Sequence, residues 1–248
     1  MTRKPSVQLY TVRDHMADRE ATLTRLARLG YTAVEPFDPT ADPKGFRALA
    51  DDLGLAVSGA HAMAMLHEPD PAPVFEAVAV LGTDLAILPA GIPEEDFTTR
   101  DGLERAADLL NTLSARAGEH GLRLGYHNHW WEFEPVLDGR HALEALADLT
   151  APEVVFEIDT YWAAVGGADP AAVLERLGDR VVALHVKDGP KVKGEPHVAV
   201  GDGAMPVPAI LAAAPADAWR VVELDACATD IFDAVGRSLE YLNGLEGA

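Results

Sequence analysis

Short apolar runs rich in β-branched and aromatic residues alternate with longer segments of helical period from one end of the chain to the other. That alternation leaves few folds open. Parallel strands are joined by a crossover of a dozen or more residues, usually a helix, so repeated strand and helix units build a parallel sheet clad in helices. Strands are expected at Ser6 to Tyr10, Ala33 to Phe37, Ala56 to Ala60, Leu85 to Pro89, Arg123 to His127, Val154 to Ile158, Val181 to Val186 and Arg220 to Leu224. Helices are expected at Glu20 to Leu29, Phe46 to Leu53, Pro73 to Leu81, Gly102 to Glu119, Ala142 to Leu149, Ala171 to Leu177, Pro208 to Ala214 and Ile231 to Leu242. Five of these helices run into Gly30, Gly54, Gly82, Gly121 or Gly178, the residue type that closes a helix in the left-handed conformation at least cost. Eight evenly spaced units, with no dividing linker and no low-complexity tract, predict an α/β fold, a (β/α)8 TIM barrel forming one domain over residues 1–248. An open doubly wound sheet would be expected to carry a G-x-G-x-x-G turn after its first strand, and Gly201-Asp202-Gly203 is too short and too late to serve.

Composition narrows the partners. Forty Asp and Glu against 20 Lys and Arg give a formal charge of −20, which repels a nucleic-acid backbone and an anionic membrane alike. The lone Cys227 has no intramolecular disulfide partner, and Met1 to Tyr10 lacks the apolar stretch of a secretory leader. No apolar run approaches the roughly 20 residues of a membrane-crossing helix. The chain reads as a cytoplasmic protein acting on a small molecule.

In a barrel of this type the active site lies at the carboxyl ends of the strands. Ionisable residues gather there: Glu35 at the second strand, His61 at the third, His127 and His129 at the fifth, Asp159 at the sixth, His185 and Lys187 at the seventh, Glu223 and Asp225 at the eighth. Residues two apart share a face of a strand, so His127 goes with His129, His185 with Lys187, Glu157 with Asp159 and Glu223 with Asp225. On the seventh strand, Val182 and Leu184 are expected to face the helices, leaving His185 inward. So many ionisable groups are costly to bury without a partner, and a shared cation supplies one. A mixed imidazole and carboxylate set suits Mn²⁺, Co²⁺, Zn²⁺ or Mg²⁺ better than Ca²⁺ or copper. Trp130, Trp131, Tyr161 and Trp162 follow the fifth and sixth strands, where they could pack on a sugar ring, pack within the loops, or meet a second copy in a homodimer. Lys187, Lys191 and Lys193 form a local basic run in the loop where barrels often bind phosphate, although a solvated loop accounts for it as well.

Several stretches, taken in order, are specific: Val7-Gln8-Leu9-Tyr10 with Arg13, Gly30-Tyr31-Thr32-Ala33-Val34-Glu35, Tyr126-His127-Asn128-His129 with Glu132-Phe133, Glu157-Ile158-Asp159, Leu184-His185-Val186-Lys187-Asp188, Val200-Gly201-Asp202-Gly203 and Val222-Glu223-Leu224-Asp225. Through them nearly the whole chain resembles the sugar phosphate isomerase/epimerase family, the xylose-isomerase-like barrels, in a branch marked by the Tyr-His-Asn-His run. The resemblance implies one divalent metal ion held by Asp159, His185 and Glu223, with His127 standing where family members carry a Glu. It also implies removal of a proton next to a carbonyl of a small sugar or polyol, ending in isomerisation, epimerisation or, as in a dehydratase of a keto-sugar or inosose, loss of water. Expected roles are Glu223, His127, His129 and Lys187 in catalysis, and His61, Glu35, Trp131 and Trp162 against the substrate. Two other functions compete: a metal-cluster nuclease like endonuclease IV, opposed by the acidity and by the shortage of extra ligands, and a non-catalytic sugar-binding barrel.

Overall fold

The computed structural model describes residues 4–246. Among these residues lie eleven strands and nine helices, which make up eight strand-and-helix units with a few added elements. The parallel sheet is built from β1 Ser6–Gln8, β2 Ala33–Glu35, β3 Ala56–Val57, β4 Ala60–His61, β5 Leu85–Leu88, β6 Arg123–His127, β9 Val155–Asp159, β10 Val181–Val186 and β11 Trp219–Val222. Its order is β3-β2-β1-β11-β10-β9-β6-β5-β4. Because β3 and β4 are two halves of one stave, continuous through Ser58 and Gly59, the ring closes as the expected (β/α)8 barrel. At the break the backbone approaches the barrel interior closely: a Cβ on Gly59 would meet Glu35 Oε2 and Ile87 Cδ1, each at 2.9 Å. Only glycine fits there without displacing a neighbour.

Outside the ring lie α1 Arg19–Leu29, α2 Pro43–Asp52, α3 Ala72–Val80, α4 Arg100–Glu119, α5 Ala142–Leu149, α7 Pro170–Leu177, α8 Val207–Ala213 and α9 Ile231–Glu246. Their starts are set locally. Asp42 accepts from Gly45 N at 3.0 Å with Pro43 opening α2, and Thr99 accepts from Gly102 N at 3.1 Å to cap α4. The five glycines expected to end helices all take positive φ, from 54° at Gly178 to 106° at Gly30. No described helix is long and apolar enough to cross a membrane.

Three differences from the sequence reading matter for the site. β1 stops at Gln8, whose side chain accepts from Tyr10 N at 3.1 Å and starts a 3-10 segment, Leu9–Asp18, that carries Tyr10 onto the rim. A short helix, α6 Thr160–Val165, and a hairpin, β7 Val136–Leu137 with β8 Arg140–His141, fill loops where no element was expected. Val182 does not face the helices: it packs with Leu85, Ile87 and Val155, a small apolar cluster separate from the main core. The pairing of β10 with β9 shifts register between Val181 and Ala183, and such an irregularity re-aims the side chain beside it. His185 keeps its expected inward direction beyond the shift.

Candidate active site

The small cluster of Leu85, Ile87, Val155 and Val182 floors the barrel interior, and polar side chains are stacked above it towards the carboxyl ends of the strands. The lower layer contains Gln8, Glu35, His61 and Glu157, all buried. Gln8 Nε2 donates to Glu35 Oε1 at 2.8 Å, and His61 Nε2 lies 2.7 Å from Glu157 Oε2. Bridging both layers is His185, which is fully buried. Its Nε2 lies 2.9 Å from Glu35 Oε1 and 3.2 Å from Glu157 Oε2, while its Nδ1 lies 2.6 Å from Glu223 Oε2. Carboxylates thus face both ring nitrogens. Although burial disfavours charge on the ring, Glu157 and Glu223 hold its pKa well above the usual histidine value.

The Tyr-His-Asn-His run divides its work by strand parity. His127 and His129 point to the cavity, and the residues between and around them hold the backbone. Asn128 clamps the end of β9: its Oδ1 accepts from Asp159 N at 2.9 Å and its Nδ2 donates to Asp159 O at 3.1 Å. Tyr126 OH donates to Glu132 Oε1 and His129 N to Glu132 Oε2, both at 2.8 Å, fixing the turn after β6. Burial lifts Glu132 to about 8 despite these bonds. Its folded pKa exceeds the unfolded one, so its stabilising contribution is complete below about pH 4.5 and is lost as pH rises through 8. Glu132→Gln presents an amide N–H to Tyr126 and an oxygen to His129. This variant is expected to lose that part of the decline in denaturation midpoint between pH 5 and 8, a slope of at most about 1.4 kcal/mol per pH unit in the parent. An unchanged slope in urea titrations would contradict the assignment.

At the mouth, Lys187 Nζ lies 2.7 Å from Asp225 Oδ2, 2.8 Å from Glu223 Oε2 and 2.9 Å from Asp159 Oδ2. Burial penalises the ammonium, but Asp159, Asp225 and Glu223 keep it charged. Burial likewise penalises the Glu223 carboxylate, and Lys187 and His185 more than offset this, so its pKa falls well below the usual range. Asp159 rises to about 6 by burial, opposed by Lys187. His127 is driven well below the ordinary value by burial and the neighbouring His185, and burial with Lys187 brings His129 to about 4. Both imidazoles are neutral bases at pH 7.

Ligand atoms of His127, Asp159, His185 and Glu223 lie within 4.8 Å of one another, and all four residues are buried. Asp159 Oδ1 is occupied by Trp162 N at 2.8 Å, whereas Asp159 Oδ2 and His127 Nδ1 make no bond of hydrogen-bonding geometry. Two imidazoles and two carboxylates are a donor set that fits a divalent transition metal or Mg²⁺, which His185 would join by giving up the proton and carboxylate contact at one ring nitrogen and Asp159 by exchanging its Lys187 contact for the ion. Another group, His61, His127, Glu157 and His185, meets the same distance limit one layer deeper. There Glu157 Oε2 is already met by His61, and Glu157 is walled from the cavity. The mouth group is the stronger candidate because, of the two, it alone sets a carboxylate, that of Glu223, on the open space a substrate reaches.

That space is a cavity of about 310 Å³ lined by Tyr10, Phe37, His61, Pro89, Ala90, His127, His129, Lys187, Glu223 and Asp225. A more open depression of about 850 Å³ lies at the opposite end of the barrel, around Arg47, Thr83, Asp84 and Trp219, with no buried ionisable cluster beneath it among the described residues. Of the residues expected to touch substrate, His61 lines the cavity. Glu35 lies in the layer below, fully buried. Trp131 stacks on the far side of His129, ring centroids 4.2 Å apart, and Trp162 is buried with Lys187 Nζ 5.4 Å from its ring. These two tryptophans back the wall rather than form it. The aromatic residues that do line the cavity are Tyr10 and Phe37, and their only signal in the sequence as substrate contacts is their position at the ends of two expected strands.

A barrel with a buried cluster that could hold an ion at its carboxyl mouth is the architecture of the xylose isomerase-like barrels. The chain belongs to the xylose isomerase-like TIM barrel family, whose model matches residues 23–242. It is 26% identical over 205 residues to an inosose dehydratase from Geobacillus kaustophilus, covering 71% of this chain and 63% of that protein. A 3-dehydroshikimate dehydratase from Pseudomonas putida is 26% identical over 191 residues, 68% of this chain but 28% of the relative. Thus the chain spans less than two thirds of the length of these relatives. The crystal structure of a sugar phosphate isomerase/epimerase from Parabacteroides distasonis superposes with a TM-score of 0.76 at 26% identity, covering 98% of this chain and 94% of that one.

Proposed function

We propose that this protein is a metal-dependent enzyme that removes the proton next to the carbonyl of a small sugar or keto-polyol, with isomerisation or epimerisation as the outcome. One observation carries the reading: the four ligand-type residues His127, Asp159, His185 and Glu223 converge at the mouth, beside a buried ammonium and a neutral imidazole in the same cavity. Those four residues would hold the ion. Once bound, a divalent ion supplies Lewis-acid polarisation of a carbonyl oxygen. Glu223, kept ionised, takes or returns a proton from its wall of the cavity. The neutral His129 on another wall is the second acid/base group, and Lys187 donates an N–H to an oxygen on which negative charge develops.

Elimination of water is a second reading, favoured by the position of Lys187. Its Nζ stands 2.8 Å from Glu223 Oε2, so an acid able to protonate a leaving hydroxyl sits beside the base that takes the carbon-bound proton. The named activities of the two dehydratases agree with this alternative.

Incubation with candidate ketoses and an inosose in D₂O with Mn²⁺, followed by proton NMR, separates the readings. Loss of the signal next to the carbonyl with a new sugar appearing supports isomerisation or epimerisation, and growth of enone absorbance supports dehydration. Binding without any exchange would leave a sugar-binding barrel.

A further inference from the structure

We propose that Lys187 is a movable counter-ion of the mouth group: its ammonium competes with a divalent ion for Asp159 and Glu223, and ion binding shifts it outward onto Asp225. This deepens the reading above and rests on its choice of ligands. Of the two Asp159 oxygens, Oδ1 already accepts from Trp162 N at 2.8 Å, which leaves Oδ2 for an ion. That same oxygen lies 2.9 Å from Lys187 Nζ, and Glu223 Oε2 lies 2.8 Å from it. Lys187, Asp159 and Glu223 are all buried. Two cations drawn to the same pair of carboxylates therefore repel each other where water and salt screen them little. Without the ion, the ammonium is what keeps these crowded carboxylates together.

The site also supplies the place to which the ammonium moves. Nζ donates to Asp225 Oδ2 at 2.7 Å, whereas Asp159 Oδ2 makes no bond of hydrogen-bonding geometry. The directional bond thus already belongs to Asp225, and the contact with Asp159 is one of charge alone. Exposure rises in the same direction: the side chain of Asp159 is sealed, that of Glu223 is 5% exposed and that of Asp225 34%. Asp225 is itself held still, since its N–H donates to His197 Nδ1 at 3.1 Å and its carbonyl accepts from Arg13 at 2.8 Å. A Lys stem is flexible enough to carry its ammonium from the sealed side to the open one while keeping a carboxylate partner throughout. Both Lys187 and Asp225 line the cavity, so the outward position sets N–H donors where a substrate oxygen enters.

Calorimetric titration of the chelator-treated protein with Mn²⁺ tests the proposal through affinity, with no turnover needed. Lys187→Met, which keeps the stem and removes the charge, is expected to bind Mn²⁺ at least about tenfold more tightly than the parent. With chelator present it should melt below the parent, because three carboxylates lose their common cation, and it should gain more on adding Mn²⁺. If Lys187→Met does not fold after chelation, its affinity is read instead on protein prepared with Mn²⁺, by competition with a chelator of known strength. Asp225→Asn should weaken binding, by at least about fivefold more in the parent than in Lys187→Met. That difference reports movement: an ammonium fixed in place adds a constant repulsion, and the two substitutions would then act independently. Equal or weaker Mn²⁺ binding by Lys187→Met, or additive effects of the two substitutions, would overturn the proposal and leave the ligand assignment standing. Absence of Mn²⁺ binding in the parent and in both variants would remove the ligand assignment and the proposal together.

Discussion

Glu223→Gln is expected to reduce exchange of the proton next to the carbonyl by at least about 10³-fold, the largest effect of any single substitution in this site. Two losses combine. The amide is a poor base, and it is a weaker metal ligand than the carboxylate. The change also removes the charge that faces His185 Nδ1 at 2.6 Å and Lys187 Nζ at 2.8 Å, leaving two buried cations less compensated. Truncating one side of a buried pair costs about 3–5 kcal/mol, although Gln keeps the volume and an oxygen for one donor, so the fall should be smaller than for Glu223→Ala. Single-turnover exchange measured with thermal unfolding separates the effects. Exchange within tenfold of the parent in a folded variant would remove Glu223 from catalysis.

The second large effect concerns His127, an imidazole at the position for which the family resemblance implies a Glu. His127→Ala is expected to lose bound metal and, with it, at least about 10²-fold in turnover. His127→Glu should behave differently. Its carboxylate would enter a space where His127 Nδ1 now lies 3.1 Å from Glu157 Oε2, so without metal two buried carboxylates would repel. With Mn²⁺ the new carboxylate becomes a ligand and the repulsion is relieved. The variant should therefore melt below the parent in the presence of chelator and gain more than the parent on adding Mn²⁺, because an ion that binds only the folded state stabilises it in proportion to its affinity. Any 3-epimerase activity should rise. If His127→Ala instead kept its metal and lost only turnover, His127 would be a base rather than a ligand, and unchanged metal with unchanged turnover would leave His129 as the working residue of the fifth strand.

The barrel was legible because its cause is local: eight apolar runs and eight amphipathic helices, most bounded by residues whose capping chemistry is fixed by type. What escaped depended on backbone detail. The break of the third stave at Gly59 reflects the crowding of Glu35 and Ile87, which no pattern along the chain displays. Val182 turned inward because the register with β9 shifts by a residue, and strict alternation cannot anticipate a shift. In the site, parity placed His127 with His129, His185 with Lys187, and Glu223 with Asp225, and each pair does converge on the mouth. Depth along the barrel axis was harder to read. Glu35 and Asp159 both end strands, yet Glu35 is sealed beneath His185 while Asp159 reaches Lys187. The pattern along the chain makes Tyr10 the last residue of a strand, whereas the turn begun by the Gln8 side chain brings it to the rim.

Metal analysis tests the central claim most directly. Protein purified without chelator, then dialysed against Mn²⁺ and passed through a desalting column, would be measured by plasma mass spectrometry beside Asp159→Asn and His185→Ala treated identically. About one divalent ion per chain is expected in the parent, with a higher melting temperature than after chelation, and much less ion in both variants. A parent that neither retains nor is stabilised by Mn²⁺, Co²⁺, Zn²⁺ or Mg²⁺, or variants that retain full occupancy, would contradict the account.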